Sequence, residues 1–197
     1  MERKDKDMIK RAQKVHLIGA GGSGLSGLAM MLVNQGKLVT GSDLEETPSL
    51  AKLKNQGVKV YIGHRADQVE LGIDLVIYSQ AVRPDNEEYK QAVEFGIPLI
   101  SYPEALGLLM QEKKGIAIAG THGKTTTAAL IVSVLRQAGL SPSFVIGGEI
   151  RGVGNSEVGR SDYLIVEACE YKRSFLFYHP WLGVITNIEE DHLDYYQ

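Results

Sequence analysis

From Gly115 to Thr127 the chain reads Gly-Ile-Ala-Ile-Ala-Gly-Thr-His-Gly-Lys-Thr-Thr-Thr, a run of residue types that handle phosphate. Gly120, Thr121, His122 and Gly123 make a turn whose backbone N–H groups can close around phosphate oxygens. Lys124 can reach terminal phosphates, and the Thr125 hydroxyl can ligate Mg²⁺. The spacing departs from G-x-x-x-x-G-K-[ST], because the residue five before Gly123 is Ile118. The plain alternative is a glycine turn beside a solvated lysine. The flanks argue for phosphate: 116–119 reads as a buried strand, and 128–138 as a helix with Ile131, Val134, Leu135 and Ala138 on one face.

A second glycine turn lies upstream. Residues 15–19 read as a strand, and Gly19-Ala-Gly21-Gly22-Ser23-Gly24 fits G-x-G-x-x-G. A helix follows with Leu25, Leu28, Ala29 and Leu32 on one face. Residues 37–40 form the next strand, which ends at Gly41-Ser42-Asp43. Asp43 lies 19 positions beyond Gly24, close to the ~20 of a dinucleotide fingerprint. The pattern predicts a unit that holds a pyrophosphate, without saying whose.

Strands and helices continue to alternate. We expect a helix over 49–56, strands over 58–62 and 73–78, and a helix opened by 84–88. Asp85 would cap that helix, with Glu88 closing a capping box. A strand over 97–100 leads into a helix near Pro103, with Leu106, Leu109 and Met110 behind it. The polar Gln-Glu-Lys-Lys stretch ends the first domain, 1–111; the second is 112–197. There, strands are expected over 143–146, 163–166 (ending in Glu167) and 182–186. Residues 149–161 read as a polar glycine-rich connection, and 174–178 as a short segment. The fold class is α/β: a Rossmann-like parallel sheet, then part of a P-loop-type α/β domain. Such a second sheet needs further strands, so the chain is expected to be the N-terminal part of a longer protein and inactive alone.

Composition excludes several classes. A net charge of −3 offers no basic field for nucleic acid or an anionic membrane. No apolar run approaches the ~18 residues of a membrane span. The charged N-terminus lacks a signal-peptide core. The single cysteine, Cys169, excludes an internal disulfide and suits a reducing cytoplasm. Glycine is 22 of 197 residues, above the ~7% usual, and several sit where backbone would approach a ligand.

The octet Gly120–Thr127 resembles the ATP loop of the Mur ligases, ATP-dependent amide-forming enzymes of cell-wall synthesis. Residues 16–27, Gly41-Ser42-Asp43, Gly63-His64, and Ser79-Gln80-Ala81-Val82 with Asp85-Asn86 are similar to that family's first-domain loops. Residues 166–171, 174–176, and 186–188 with Asp191-His192 resemble its metal-site segments. The likeness covers 15–196 and lies with the branch that joins L-alanine to UDP-N-acetylmuramic acid. It implies that UDP-N-acetylmuramic acid, not NAD, binds the first domain, its pyrophosphate over Gly19, Gly21, Gly22, Ser23 and Gly24. Ser42, Asp43, His64, Ser79 and Ala81 would complete that substrate site, with Asp43, His64 and Ser79 toward the uridine. ATP would meet Gly120, Thr121, His122, Gly123, Lys124, Thr125, Thr126 and Asn187. Thr125, Glu167 and His192 would hold Mg²⁺ or Mn²⁺. Lys124, His122, Glu167 and His192 would serve the chemistry. The implied reaction phosphorylates the lactyl carboxylate with ATP, and the amine of L-alanine then displaces phosphate. The family's acidic Glu-Ala-Asp-Glu-Ser-Asp stands here as Glu167-Ala-Cys-Glu-Tyr-Lys172, which leaves Glu167 as the expected ligand and assigns nothing to positions 169 and 172.

The chemistry of the residues agrees. A carboxylate attacking a phosphate is anion meeting anion, so the site must supply positive charge. Lys124, a helix N-terminus and a divalent cation do that. Oxygen ligands suit Mg²⁺; a histidine ligand suits Mn²⁺ as well. Each residue has a plainer reading. Glu167 could be a solvated strand end, His192 and His64 surface histidines, and His122 a turn residue. His16 is expected to be structural, and Cys169 a small buried side chain. Three other functions compete: a ligase that attaches a whole peptide to the same UDP sugar, a non-catalytic UDP-sugar-binding module, and a nicotinamide-dependent dehydrogenase. A dehydrogenase has no use for Gly123-Lys124-Thr125.

Overall fold

This computed structural model describes residues 7–191, 193, 195 and 196. The chain divides into two units, Met1–Ala105 and Leu106–Gln197. None of the helices among the described residues is long and apolar enough to cross a membrane.

The first unit opens with a short helix, α1 (Met8–Arg11), and then alternates strand and helix. Its elements are β1 (Lys14–Ile18), α2 (Ser23–Asn34), β2 (Leu38–Asp43), α3 (Pro48–Asn55), β3 (Lys59–Ile62), β4 (Leu75–Tyr78), α4 (Glu87–Glu94), β5 (Leu99–Ser101) and the start of α5 (Tyr102–Met110). The sheet order is β3-β2-β1-β4-β5, and every pairing is parallel. Parallel strands carry helices on their faces, so their side chains are apolar in long runs. In β1, Val15, Leu17 and Ile18 are buried as this requires. The chain leaves β1 for β2 on one side and reaches β4 on the other, so a crevice opens at the carboxyl ends of β1 and β4. The expected apolar face of α2, with Leu25, Leu28, Ala29 and Leu32, is buried.

One polar cluster interrupts this core. The Glu88 carboxylate is fully buried. It accepts from His16 Nε2 at 2.6 Å and Ser42 Oγ at 2.7 Å, both on Oε2, and from His64 Nδ1 at 2.7 Å on Oε1. The far nitrogen of His16 meets Thr40 Oγ1 at 2.7 Å. The expected capping box is therefore corrected. The cap of α4 is Asn86, not Asp85: its side chain accepts from the N–H groups of Glu88 and Tyr89. Glu88 shares the inward face of the helix with Ala92, and its carboxylate turns to the histidines, not back to the cap.

The second unit continues α5 and adds β6 (Lys114–Ala119), α6 (Lys124–Gln137), β7 (Ser143–Ile150), β8 (Gly154–Glu157), β9 (Tyr163–Glu167), a 3₁₀ segment (Tyr171–Phe177) and β10 (Leu182–Ile185). Its order is β10-β6-β9-β7-β8; only the β7–β8 pair is antiparallel. Ile116, Ile118, Ala128, Val132, Phe144, Ile146 and Ile165 form its core. Two expectations change here. Helix α6 starts at Lys124 and buries Ala128 and Val132, while Val134 is 63% exposed. Val134 lies two residues beyond Val132, about 200° round the helix at 3.6 residues per turn, and so leaves the sheet-facing stripe. Strand β7 runs on through Gly147 and Gly148, and the polar 149–161 stretch contains β8, paired to β7 across a register shift. Strand β10 forms one edge of the sheet, with Leu182 and Ile185 exposed.

Two tests follow. Gly107 lies within α5, where alanine usually adds about 1 kcal/mol. A Cβ there would stand 2.3 Å from the Phe177 carbonyl oxygen, too close for either backbone to accept. Gly107→Ala should instead destabilise by ~1–3 kcal/mol in chemical denaturation; a gain would show that the 3₁₀ segment gives way. The second test concerns Glu88. Burial pushes its carboxyl up, but the hydrogen bonds from His16, Ser42 and His64 and the pull of His16 outweigh this and leave it below the ordinary 4.5. A lowered carboxyl adds stability that is complete above its unfolded value and is lost as pH falls through the folded one. The gap in urea midpoint between the parent and Glu88→Gln should be open at pH 7 and narrow as pH falls below the ordinary carboxylate range. A gap constant across that range would mean that Glu88 is buried protonated.

Candidate functional sites

In the first unit the glycine turn between β1 and α2 is fixed by backbone contacts. Gly19 has φ +87°, and a Cβ on it would lie 2.8 Å from the Ser79 Cβ. The N–H groups of Gly19 and Ala20 both donate to the Ser42 carbonyl. Gly21 donates to Asp43 Oδ2 at 2.7 Å, and Leu44 to Asp43 Oδ1 at 2.7 Å. Asp43 thus ties the turn to the end of β2 through both oxygens. Gly22 caps α2 without a side-chain hydrogen bond, so the first-turn N–H groups there have no side-chain acceptor and favour an anion. Gly24 serves packing: a Cβ would lie 2.6 Å from the Tyr102 ring.

A cleft of about 710 Å³ opens over this turn, a volume suited to a nucleotide-sized ligand. Of the expected substrate residues, Gly19, Gly21, Gly22, Asp43, His64, Ser79 and Ala81 line it. Ser42 is buried and reaches it through His64, its Oγ 3.2 Å from His64 Nδ1. Ser23 and Gly24 sit in the first turn of α2, outside the lining. Sequence reasoning missed Leu44, Thr47, Arg83 and Glu87 of the lining. Arg83 brings a cation to the cleft; its place in the loop after β4, across the switch point from the glycine turn, was the available signal.

In the second unit the register of three strands assembles the other site. Ile118 of β6 pairs with Glu167 of β9, and Ala119 with Ile185 of β10. The loop, Glu167 and Thr186-Asn187 therefore reach one sheet edge. Gly120 has φ +132°, and a Cβ would lie 2.1 Å from Thr186 Oγ1; only glycine fits. Asn187 Oδ1 accepts from His122 N–H at 2.9 Å, and its Nδ2 donates to the His122 carbonyl at 3.1 Å. Thr186 Oγ1 donates to the same carbonyl at 2.6 Å. The side chain of Asn187 thus staples the loop. The His122 side chain is 72% exposed, its Nε2 3.8 Å from Glu189. Gly123 adopts the left-handed conformation that opens α6, and Lys124, Thr125 and Thr126 form the first turn of that helix.

Lys124 Nζ donates to the carbonyls of Gly120 and Thr121 and forms an ion pair with Glu170 at 3.1 Å. Glu170 was not singled out from the sequence, although its place three residues after Glu167 put it in the same segment. Just beyond it, Lys172 and Arg173 both have positive φ, 51° and 57°, a conformation that costs non-glycine residues of order 1 kcal/mol each. Glu167 Oε1 accepts from Gly147 N–H at 2.7 Å. A Cβ at Gly147 would come within 3.2 Å of Glu167 Oε2, and one at Gly148 within 2.7 Å of Thr125 Cγ2. The Gly147-Gly148 pair is thus a bare wall shared by Glu167 and Thr125. Their carboxylate and hydroxyl are the hard oxygen donors that a divalent cation such as Mg²⁺ takes, with water or phosphate oxygens completing its shell. Among the described residues no group of three His, Cys, Asp or Glu could hold a metal by itself; His192, the third expected ligand, lies outside the described residues. Burial pushes the Cys169 thiol up, which disfavours a thiolate nucleophile.

Known proteins resemble this arrangement along nearly the whole chain. The model for the Mur ligase family, catalytic domain, matches residues 14–114, and that for the Mur ligase middle domain matches 118–197. A UDP-N-acetylmuramate–L-alanine ligase of Carboxydothermus hydrogenoformans is 48% identical over 193 residues, 98% of this chain and 42% of the relative. The crystal structure of UDP-N-acetylmuramate-alanine ligase from Thermotoga maritima superposes with a TM-score of 0.84 at 36% identity, over 93% of this chain and 43% of that one. The UDP-N-acetylmuramate:L-alanyl-gamma-D-glutamyl-meso-diaminopimelate ligase of Neisseria meningitides gives 0.83 at 31% identity, over 94% and 64%. The chain spans about two fifths of the length of the curated relatives it matches. By both domain matches, the chain belongs to the Mur ligase family.

Proposed function

We propose that this chain supplies the nucleotide-sugar site and the ATP loop of a ligase that joins L-alanine to UDP-N-acetylmuramic acid in cell-wall synthesis, in the cytoplasm. The observation that carries the reading is two separate glycine turns, each at the carboxyl ends of parallel strands in its own sheet, of which only the second bears Lys124 and Thr125. One turn suits a diphosphate that is held and not cleaved. The other suits a triphosphate whose terminal group is transferred.

The reaction has two steps. A lactyl carboxylate oxygen attacks the γ-phosphorus of ATP, the bond to the β-phosphate oxygen breaks, and ADP leaves with that electron pair. The amine of L-alanine then attacks the acyl carbon, phosphate leaves, and the amine loses a proton. Lys124 and the first turn of α6 supply positive charge where two anions meet. A divalent cation, Mg²⁺ or Mn²⁺, would be held by Thr125 and Glu167, with His192 as the third proposed ligand, and would neutralise phosphate charge. Glu170 acts as a stand-in counter-ion for Lys124, to be exchanged for phosphate oxygens. The likeness to the diaminopimelate-peptide ligase supports a second reading, in which the same UDP sugar receives a whole peptide; the acceptor that drives phosphate release separates the two.

Calorimetric titration tests the first site. The 197-residue chain should bind UDP-N-acetylmuramic acid and not NADH; binding of NADH alone would overturn the ligase reading. Lys124→Ala tests the second. It should weaken ATP binding ~100-fold and leave UDP-sugar affinity within about twofold, as expected for independent sites. Loss of both affinities together would show that the two glycine turns serve one ligand.

A further inference from the structure

We infer that Glu88 is a positioning residue for the nucleotide-sugar cleft: it holds His64 with its proton on Nδ1, so that Nε2 meets the ligand as an acceptor for a nucleoside hydroxyl or imide N–H. This rests on the UDP-sugar reading above.

The geometry leaves little freedom. An ionised carboxylate has no proton to give, so each of its partners must donate. Glu88 takes His16 Nε2 and Ser42 Oγ on one oxygen and His64 Nδ1 on the other, all within 2.7 Å. The three hydrogen bonds and the electrostatic pull of His16 keep its carboxyl on the ionised side despite full burial. A neutral imidazole with its proton on Nδ1 carries a lone pair on Nε2. His64 lines the cleft, and its side chain is 14% exposed. With Nδ1 committed inward, the Nε2 edge is what the ligand meets.

The place of His64 in the cleft suits an acceptor. In dinucleotide-binding folds an acid at the end of the second strand accepts from the ribose hydroxyl. Asp43 stands at that place, at the end of β2, where each of its oxygens already holds one backbone N–H, from Gly21 and from Leu44, and keeps one further acceptor site. The other acids of the lining, Asp85 and Glu87, lie on the β4–α4 side. On the β2–β3 side His64 stands beside Asp43 as an uncharged acceptor, and Glu88, which does not line the cleft, decides which hydrogen-bonding face the ring presents. Ser42 supports the arrangement by bridging both residues.

The test is nuclear magnetic resonance of the whole chain with ¹⁵N-labelled histidine, at about pH 8, where an ordinary histidine is neutral. His64 should read as protonated on Nδ1 and bare on Nε2. Glu88→Gln, whose amide donates as well as accepts, should lose that preference and bind UDP-N-acetylmuramic acid ~10-fold more weakly. Uridine diphosphate, its 2′-deoxy form and its 3-methyl form then identify the donor. One of the two analogues should bind ~10-fold more weakly than the parent, and His64→Ala should abolish that difference. A proton on Nε2 of His64 in the parent chain overturns the inference whatever binds, and this measurement needs no variant to fold. An Nδ1 proton with no discrimination among the three diphosphates overturns the acceptor role. An Nδ1 proton in a chain that binds none of these uridine ligands overturns the UDP-sugar reading and leaves the Glu88–His64 arrangement standing.

Discussion

A buried carboxylate must be neutralised or supplied with donors, and the first unit is arranged around that requirement at Glu88. An unpaired charge in an apolar core would cost several kcal/mol. Here the donors come from three neighbouring strands or their ends: His16 on β1, Ser42 on β2 and His64 just after β3. Helix α4, which carries Glu88, is thereby tied to the strands whose carboxyl ends form the cleft. The same cluster explains why the buried run of β1, Val15 to Ile18, carries a histidine.

The second unit meets the opposite demand, a lysine held ready for anions. Lys124 sits at a helix N-terminus, where positive charge already accumulates. Two loop carbonyls and Glu170 offset it. The loop itself is held from the neighbouring strand, because Thr186 and Asn187 grip the His122 backbone. The position of the lysine is therefore set by β10 as much as by the loop's own glycines.

What the sequence revealed and what it hid have a common physical cause. The strand–glycine–helix units were legible because apolar periodicity and glycine are local signals, and both sheets contain the expected strands. Glu88 was not legible as a core residue. Its partners are 72, 46 and 24 positions away, and an acid at the second position of a helix reads as a cap. Strand β8 was hidden because Gly154-Asn-Ser-Glu157 has no apolar alternation to reveal it; it forms by pairing with β7 at the sheet edge. Val134 looked like a core position because the helical stripe was counted from Ile131, whereas the sheet selects Ala128 and Val132. Arg83 and Glu170 were visible as residues, but their relevance depends on loops meeting across a sheet edge.

The exposed flank of β10 has a consequence for handling the chain. Leu182-Gly-Val-Ile185 carries no charge, and Leu182 and Ile185 are 45% and 67% exposed. An edge of that kind presents free backbone donors and acceptors with no lysine, proline or bulge within it to deter a second strand. The outer flank of β10 is therefore the place where this unit is least guarded against pairing with another strand.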